Sequence, residues 1–164
     1  MNLTTYIALG SNLNNPVAQL HAAIRTLSQL PNSALIRTSS FYQNPPFGPP
    51  QPDFINAVAE LQTSLSAEDL LITLHKIEQQ QGRIRTEERN GPRTLDLDII
   101  LYGNMIIQSA DLTIPHPRLY ARPFVLIPLY EITPNLVFPD GRELKDCIQE
   151  KDYRDLKRVY TQSV

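Results

Sequence analysis

The sequence predicts an α+β fold of the ferredoxin-like type, an antiparallel sheet with helices on one face, followed by a C-terminal extension. Three observations predict it. Four short apolar runs read as strands, two longer runs carry apolar residues at helical spacing, and their order is strand, helix, strand, strand, helix, strand.

The first strand, Thr5-Tyr6-Ile7-Ala8-Leu9, is stopped by Gly10-Ser11-Asn12. Asn15-Pro16 then supplies an N-cap and a first-turn proline, and Val17, Leu20, Ile24 and Leu27 form the apolar stripe of a helix running down to Pro31. Its polar side carries His21, expected to be inert. Ala34 to Tyr42 and Phe54 to Gln62 read as the next two strands. In the latter, Ile55, Ala57, Ala59 and Leu61 alternate with Phe54, Asn56, Val58 and Glu60, so the first set faces the core while Phe54 and Asn56 face away. Ser66-Ala67-Glu68-Asp69 has the spacing of a capping box with Asp in place of Glu or Gln. Leu70, Leu71, Leu74 and Ile77 continue it as a second helix ending before Gly82. The fourth strand is Leu97 to Tyr102. With both helices on one face, the opposite face is left free to build a site. Beyond it, Phe124 to Ile127 reads as buried, and Asp140 to Arg158, with six acidic and six basic residues, reads as a solvated helical cover that includes Cys147.

With 164 residues the chain is a single domain, able to bury about two thirds of its unfolded surface. Its 15 basic and 17 acidic side chains, without a basic block, argue against a nucleic-acid or membrane partner. No apolar stretch approaches a membrane span and the N-terminus lacks a signal core, so a cytoplasmic protein, acting as a monomer, is expected. The lone Cys147 excludes an internal disulfide and a cysteine-rich zinc site.

The chemistry concentrates in Gly91-Pro92-Arg93-Thr94-Leu95-Asp96-Leu97-Asp98. On a strand, Asp96 and Asp98 share one face, roughly 7 Å apart along the backbone. Two carboxylates side by side repel unless a cation lies between them or water screens them, and Mg²⁺ takes one or two carboxylates together with substrate phosphates. Arg83, Arg85, Arg89 and Arg93 are the nearby phosphate-binding candidates. An acidic outer strand face is the bland alternative. Two long connections, Gln43 to Asp53 with five prolines and Gly82 to Leu95, have the length of lids. His116, between Pro115 and Pro117, presents its imidazole in a defined direction. Gly10-Ser11-Asn12-Leu13-Asn14 lacks the lysine of a P-loop and reads equally as a helix-capping turn or as a substrate-proximal segment.

Taken together, Ile7 to Leu13, Ser40 to Gly48, Pro52 to Ala57, Gly91 to Asp98, Ile114 to Leu119 and Leu136 to Gly141 resemble the 6-hydroxymethyl-7,8-dihydropterin pyrophosphokinases of folate biosynthesis. The match runs in order from about residue 5 to 145. The resemblance implies transfer of the β,γ-pyrophosphoryl group of ATP to the hydroxymethyl oxygen of the dihydropterin, leaving AMP. It implies that Asp96 and Asp98 bind two Mg²⁺ ions and that Arg83 and Arg93 serve the chemical step and the triphosphate. His75, Glu78, Thr113, His116 and Arg122 fall on nucleotide-contacting positions. Phe54 and Phe124 would sandwich the pterin, Asn56 would bond its polar edge, and Asn44, Pro45 and Phe47 would assist. The chain departs from some relatives at Phe54, Asn90 and Asp111, where they carry Tyr, Trp and Arg. A nonenzymatic pterin- or nucleotide-binding module is the alternative, and an RNA-binding domain of the same topology lacks aromatic-rich strands here.

Overall fold

The computed structural model describes residues 2–46, 48–82 and 92–159. Strand β1 (Leu3–Ser11) and strand β4 (Phe54–Thr63) pair antiparallel from Leu3 opposite Thr63 to Ser11 opposite Ile55 and form the centre of the sheet. Outside them lie β5 (Asp96–Tyr102) against β1, and β2 (Ser33–Thr38) and β3 (Phe41–Asn44) against β4. A last strand, β8 (Lys157–Val159), pairs with β3, and a separate hairpin joins β6 (Ile107–Gln108) to β7 (Thr113–Ile114). Among the described residues no helix is long and apolar enough to cross a membrane.

Helices α1 (Pro16–Leu27) and α2 (Ala67–Gln80) start where the sequence places them. The Asn15 side chain accepts from the Ala18 N–H, and Ser66 accepts from the Asp69 N–H. Both pack their stripes on one face of the sheet, around Ile7, Leu9, Ala57, Ala59, Leu61 and Leu97. Helix α1 stops at Leu27, short of the expected Pro31. His21 is half-buried, its ring tilted at 46° against that of Phe41 with centres 4.9 Å apart, so it packs against the core.

Three expectations about the chain change. The run from 34 to 42 is two strands, because Ser39 interrupts it: its backbone N–H donates to Val58 O, and its hydroxyl accepts from Val58 N. A side-chain oxygen takes a ladder position there, and the strand is broken between Thr38 and Phe41. The opposite face of the sheet is only partly free, since a third helix, α3 (Pro123–Ile132), packs on Tyr6, Val58, Ile100 and Leu101. Its buried side chains include Val125, Leu126, Ile127, Leu129 and Ile132, apolar nearly all round, so no stripe betrays it. The stretch from 140 to 158 is not a helical cover. It forms two short 3-10 turns, Leu144–Cys147 and Glu150–Tyr153, before β8, and Cys147 sits in the first of them.

Candidate active site

The part of the second face that α3 leaves open is a cleft of about 630 Å³, counting its open mouth. Its floor is Ala8, Leu9 and Gly10 of β1, and its far wall is Asp96 and Asp98 of β5. Pairing sets Gly10 opposite Asp96 on one side and Asn56 on the other, with Ala8 opposite Asp98. The small residues keep the floor low. A Cβ on Gly10 would come within 2.9 Å of Asn56 Oδ1, so only glycine leaves that amide in place.

Strand alternation delivers the two aspartates as expected, with Leu97 and Ile99 in the helix-side core and Asp96 and Asp98 on the cleft side. Each carboxylate has an arginine. Arg93 Nη1 lies 3.3 Å from Asp96 Oδ2, and Arg122 Nη1 lies 3.9 Å from Asp98 Oδ2. Each guanidinium also stands near an aromatic ring, Arg93 at 6.0 Å from the centre of Phe54 and Arg122 at 5.7 Å from that of Phe124. Asn56, buried at the cleft wall, donates from Nδ2 to Asn44 Oδ1.

Two groups titrate far from their usual ranges. Burial first, and then the Asp96 carboxylate, push Asp98 up to about 7, against the pull of Arg122. Desolvation, followed by the Arg122 charge, lowers His116 to about 4. His116 is therefore neutral at neutral pH, and its Nδ1 accepts from the Arg118 N–H at 3.2 Å. That bond leaves the proton on Nε2. The ring lines a smaller recess against Asp98 and Arg122.

Not every residue singled out in the sequence reaches the cleft. Glu78 lies beneath it: only 1% exposed on α2, it accepts the Leu97 N–H at Oε2 over 2.8 Å, between the two aspartates. It holds β5 from behind and does not line the cleft. His75 is half-buried on the same helix, Thr113 is exposed on β7, and neither lines the cleft. Pro45 lends its carbonyl to Asn44 Nδ2. Arg83, Phe47 and Asn90 lie outside the described residues. Among the described residues no three His, Cys, Asp or Glu side chains cluster as a metal cage. Gly10 lies in the segment that the sequence leaves open between a capping turn and a substrate-proximal role, whereas Ala8 reads only as part of a strand, although two small residues two apart in an otherwise bulky strand signal a close approach.

The family model of 7,8-dihydro-6-hydroxymethylpterin-pyrophosphokinase matches residues 6–134. The chain is similar to the 2-amino-4-hydroxy-6-hydroxymethyldihydropteridine pyrophosphokinase of Haemophilus influenzae, 52% identical over 158 residues, covering 96% of this chain and 97% of that one. It is also similar to the enzyme of the same name from Pseudomonas aeruginosa, at 44% over 155 residues, 94% and 95% of the two chains. Among solved structures, wild-type HPPK-DHPS of Plasmodium falciparum with pteroate superposes with a TM-score of 0.79 at 12% identity, a likeness of fold. The chain fills 98% of its own length in that match and 46% of the other, so it spans just under half of that longer protein. The match to the family model and the identity to both bacterial enzymes over nearly their whole length show that the chain belongs to the 7,8-dihydro-6-hydroxymethylpterin pyrophosphokinase family.

Proposed function

We propose that the cleft transfers the β,γ-pyrophosphoryl group of ATP to the hydroxymethyl oxygen of 6-hydroxymethyl-7,8-dihydropterin, releasing AMP, with Mg²⁺ held by Asp96 and Asp98. Membership of the family makes the chain an ATP-using pyrophosphokinase of hydroxymethyldihydropterin, an enzyme of folate biosynthesis. The observation that carries the mechanism is the aspartate pair. Burial, and next the neighbouring Asp96 carboxylate, keep a proton on Asp98 up to about 7. Their oxygens are hard donors, the kind Mg²⁺ takes, and two side chains are too few for a closed protein cage. The donor set thus fits a cation that completes its shell with substrate phosphates. Bound there, Mg²⁺ would neutralise charge on the triphosphate and stabilise the transferred group.

The chain's own residues do the rest by position. Arg93 and Arg122 offer guanidinium donors beside the carboxylates, suited to the outer phosphate oxygens. Phe54 and Phe124 stand as apolar walls for a flat ring, and Asn56, fixed by Asn44, reads its polar edge. His116, neutral with its proton on Nε2, is a donor that adds no charge. Arg83 keeps the role in the chemical step that the resemblance implies. The acceptor hydroxyl is itself the nucleophile, so the work is alignment and charge stabilisation.

The direct test incubates the protein with ATP, Mg²⁺ and 6-hydroxymethyl-7,8-dihydropterin. AMP is the expected nucleotide product, and ADP in its place refutes the proposal. Asp96→Ala and Asp98→Ala should each lower turnover by about a thousandfold or more. Both should melt no lower than the parent, since either change relieves repulsion. Parental turnover in either variant would remove the carboxylates from the mechanism.

A further inference from the structure

Arg122 stands at a junction of the backbone. Its N–H donates to the Leu119 carbonyl at 3.2 Å, behind the 3-10 turn Leu119–Ala121, and its carbonyl accepts from Val125 at 2.9 Å and Leu126 at 3.0 Å in the first turn of α3. How that turn is seated therefore sets the direction in which the guanidinium leaves for the cleft. The pair with Asp98, at 3.9 Å, is too long to fix it alone. On the core side Leu119, 1% exposed, seats the turn. On the outer side the seat is Tyr120.

Three residues of the loop at 138–142 hold the Tyr120 ring. Phe138, buried, meets it edge-on at 83° with centres 5.1 Å apart. The Arg142 guanidinium lies over its face, 3.5 Å from the centre. Asp140 joins the two. Its Oδ2 accepts from Arg142 Nε at 2.8 Å and from the Tyr120 hydroxyl at 3.3 Å and lies 2.7 Å from Arg142 Nη2, while Oδ1 accepts from the Arg142 N–H at 3.0 Å. The loop also closes on itself, the Phe138 N–H donating to the Arg142 carbonyl at 2.8 Å. An exposed ion pair by itself adds little to stability, and the side chains of Asp140 and Arg142 are 42% and 53% exposed. Their convergence on the residue two before Arg122 gives them another use. A guanidinium already fixed in direction has less freedom to lose when it meets an anion.

We propose that Tyr120, Asp140 and Arg142 form a clamp that positions Arg122 for the phosphates of ATP. None of the three lines the cleft, so they are positioning residues that act through the backbone between Leu119 and Arg122. This rests on the assignment of Arg122 to the phosphate oxygens made above.

The experiment titrates the full chain by calorimetry with a non-hydrolysable α,β-methylene ATP analogue in the presence of Mg²⁺. Arg142→Ala and Asp140→Asn should each weaken binding by about fivefold, with melting temperatures close to the parent's because both side chains are exposed. The charges of the two variants separate positioning from simple attraction. Asp140→Asn makes the chain more positive, which alone would tighten an anion, yet the one oxygen left to the amide cannot serve both the Arg142 N–H and the guanidinium. A folded variant of either kind that binds the analogue as tightly as the parent, or more tightly, overturns the proposal. The second arm places Arg142→Ala in an Arg122→Ala background, where it should change the affinity by less than about twofold, because the clamp acts only through Arg122. Weakening there as large as in the parent background overturns the proposal too. Failure of the underlying assignment looks different. Arg122→Ala alone would then leave the analogue's affinity unchanged.

Discussion

Asp98 and His116 line one small recess and respond to pH in opposite senses. Burial and Asp96 raise Asp98 to about 7, so the folded state holds a proton that the unfolded chain releases above the ordinary carboxyl value of 3.8. Stability from that proton is fully present at low pH and is lost as pH rises toward about 7. Burial and Arg122 lower His116 to about 4 from 6.5, so its contribution is lost as pH falls through that window. Asp98→Asn removes the first effect and keeps the second. In metal-free buffer the variant should therefore melt higher than the parent at about pH 8, with the difference vanishing near about pH 4. Mg²⁺ should raise the parent's melting temperature more at about pH 8 than at about pH 6, because protons compete for the same oxygens. A thermal-denaturation series over pH with and without Mg²⁺ checks both, and a Mg²⁺ effect that grows toward acid would contradict the placement of the ion.

The contact between α2 and β5 shows what a strand needs in order to present two charges. Glu78 reaches up from the helix and takes the Leu97 N–H, so the peptide between the aspartates is anchored from the core side. Glu78→Ala leaves a buried N–H unpaired over a cavity and should cost about 3 kcal/mol by denaturant unfolding. Glu78→Gln keeps an acceptor and should cost far less; equal losses would show that the charge matters rather than the bond. The resemblance implies a nucleotide contact for Glu78; position along a helix says which face a residue takes and not how deep it sits, and the 1% exposure of Glu78 is visible only in the fold. Elsewhere the elements were legible for definite reasons. Ile55, Ala57, Ala59 and Leu61 alternate against one apolar layer, and Asn15 and Ser66 are cap residues with one obvious acceptor each. The break at Ser39 was not legible, since a serine entering a strand looks the same whether or not its hydroxyl replaces a carbonyl. Helix α3 was hidden by being buried on nearly all sides.

For the molecule as a whole, the cleft exists because the sheet is covered unequally. Helices α1 and α2 cover one face, and α3 covers the other only as far as Phe124 and Val125, where the cleft begins. The pocket walls from β1, β3, β4 and β5 were foreseeable from the topology and from the Asp96–Asp98 motif, whereas the wall from α3 depended on a helix without a periodic signal. Glu131 of α3 ties this layer to the sheet margin, accepting from Ser40 N, Ser40 Oγ at 2.9 Å and Tyr42 OH at 2.6 Å, with Arg158 of β8 at 4.0 Å. The strand β8 gives that margin a second meaning. Phe41 to Gln43 would otherwise present a row of unsatisfied amides and carbonyls to any passing extended chain, and Lys157 and Arg158 close the row with charge. Removal of the residues from 157 onward should therefore show itself first as self-association that grows with protein concentration, visible by light scattering, before any deficit in catalysis. The short C-terminal strand is on this view a guard against aggregation, set on the sheet margin farthest from the strand that bears Asp96 and Asp98.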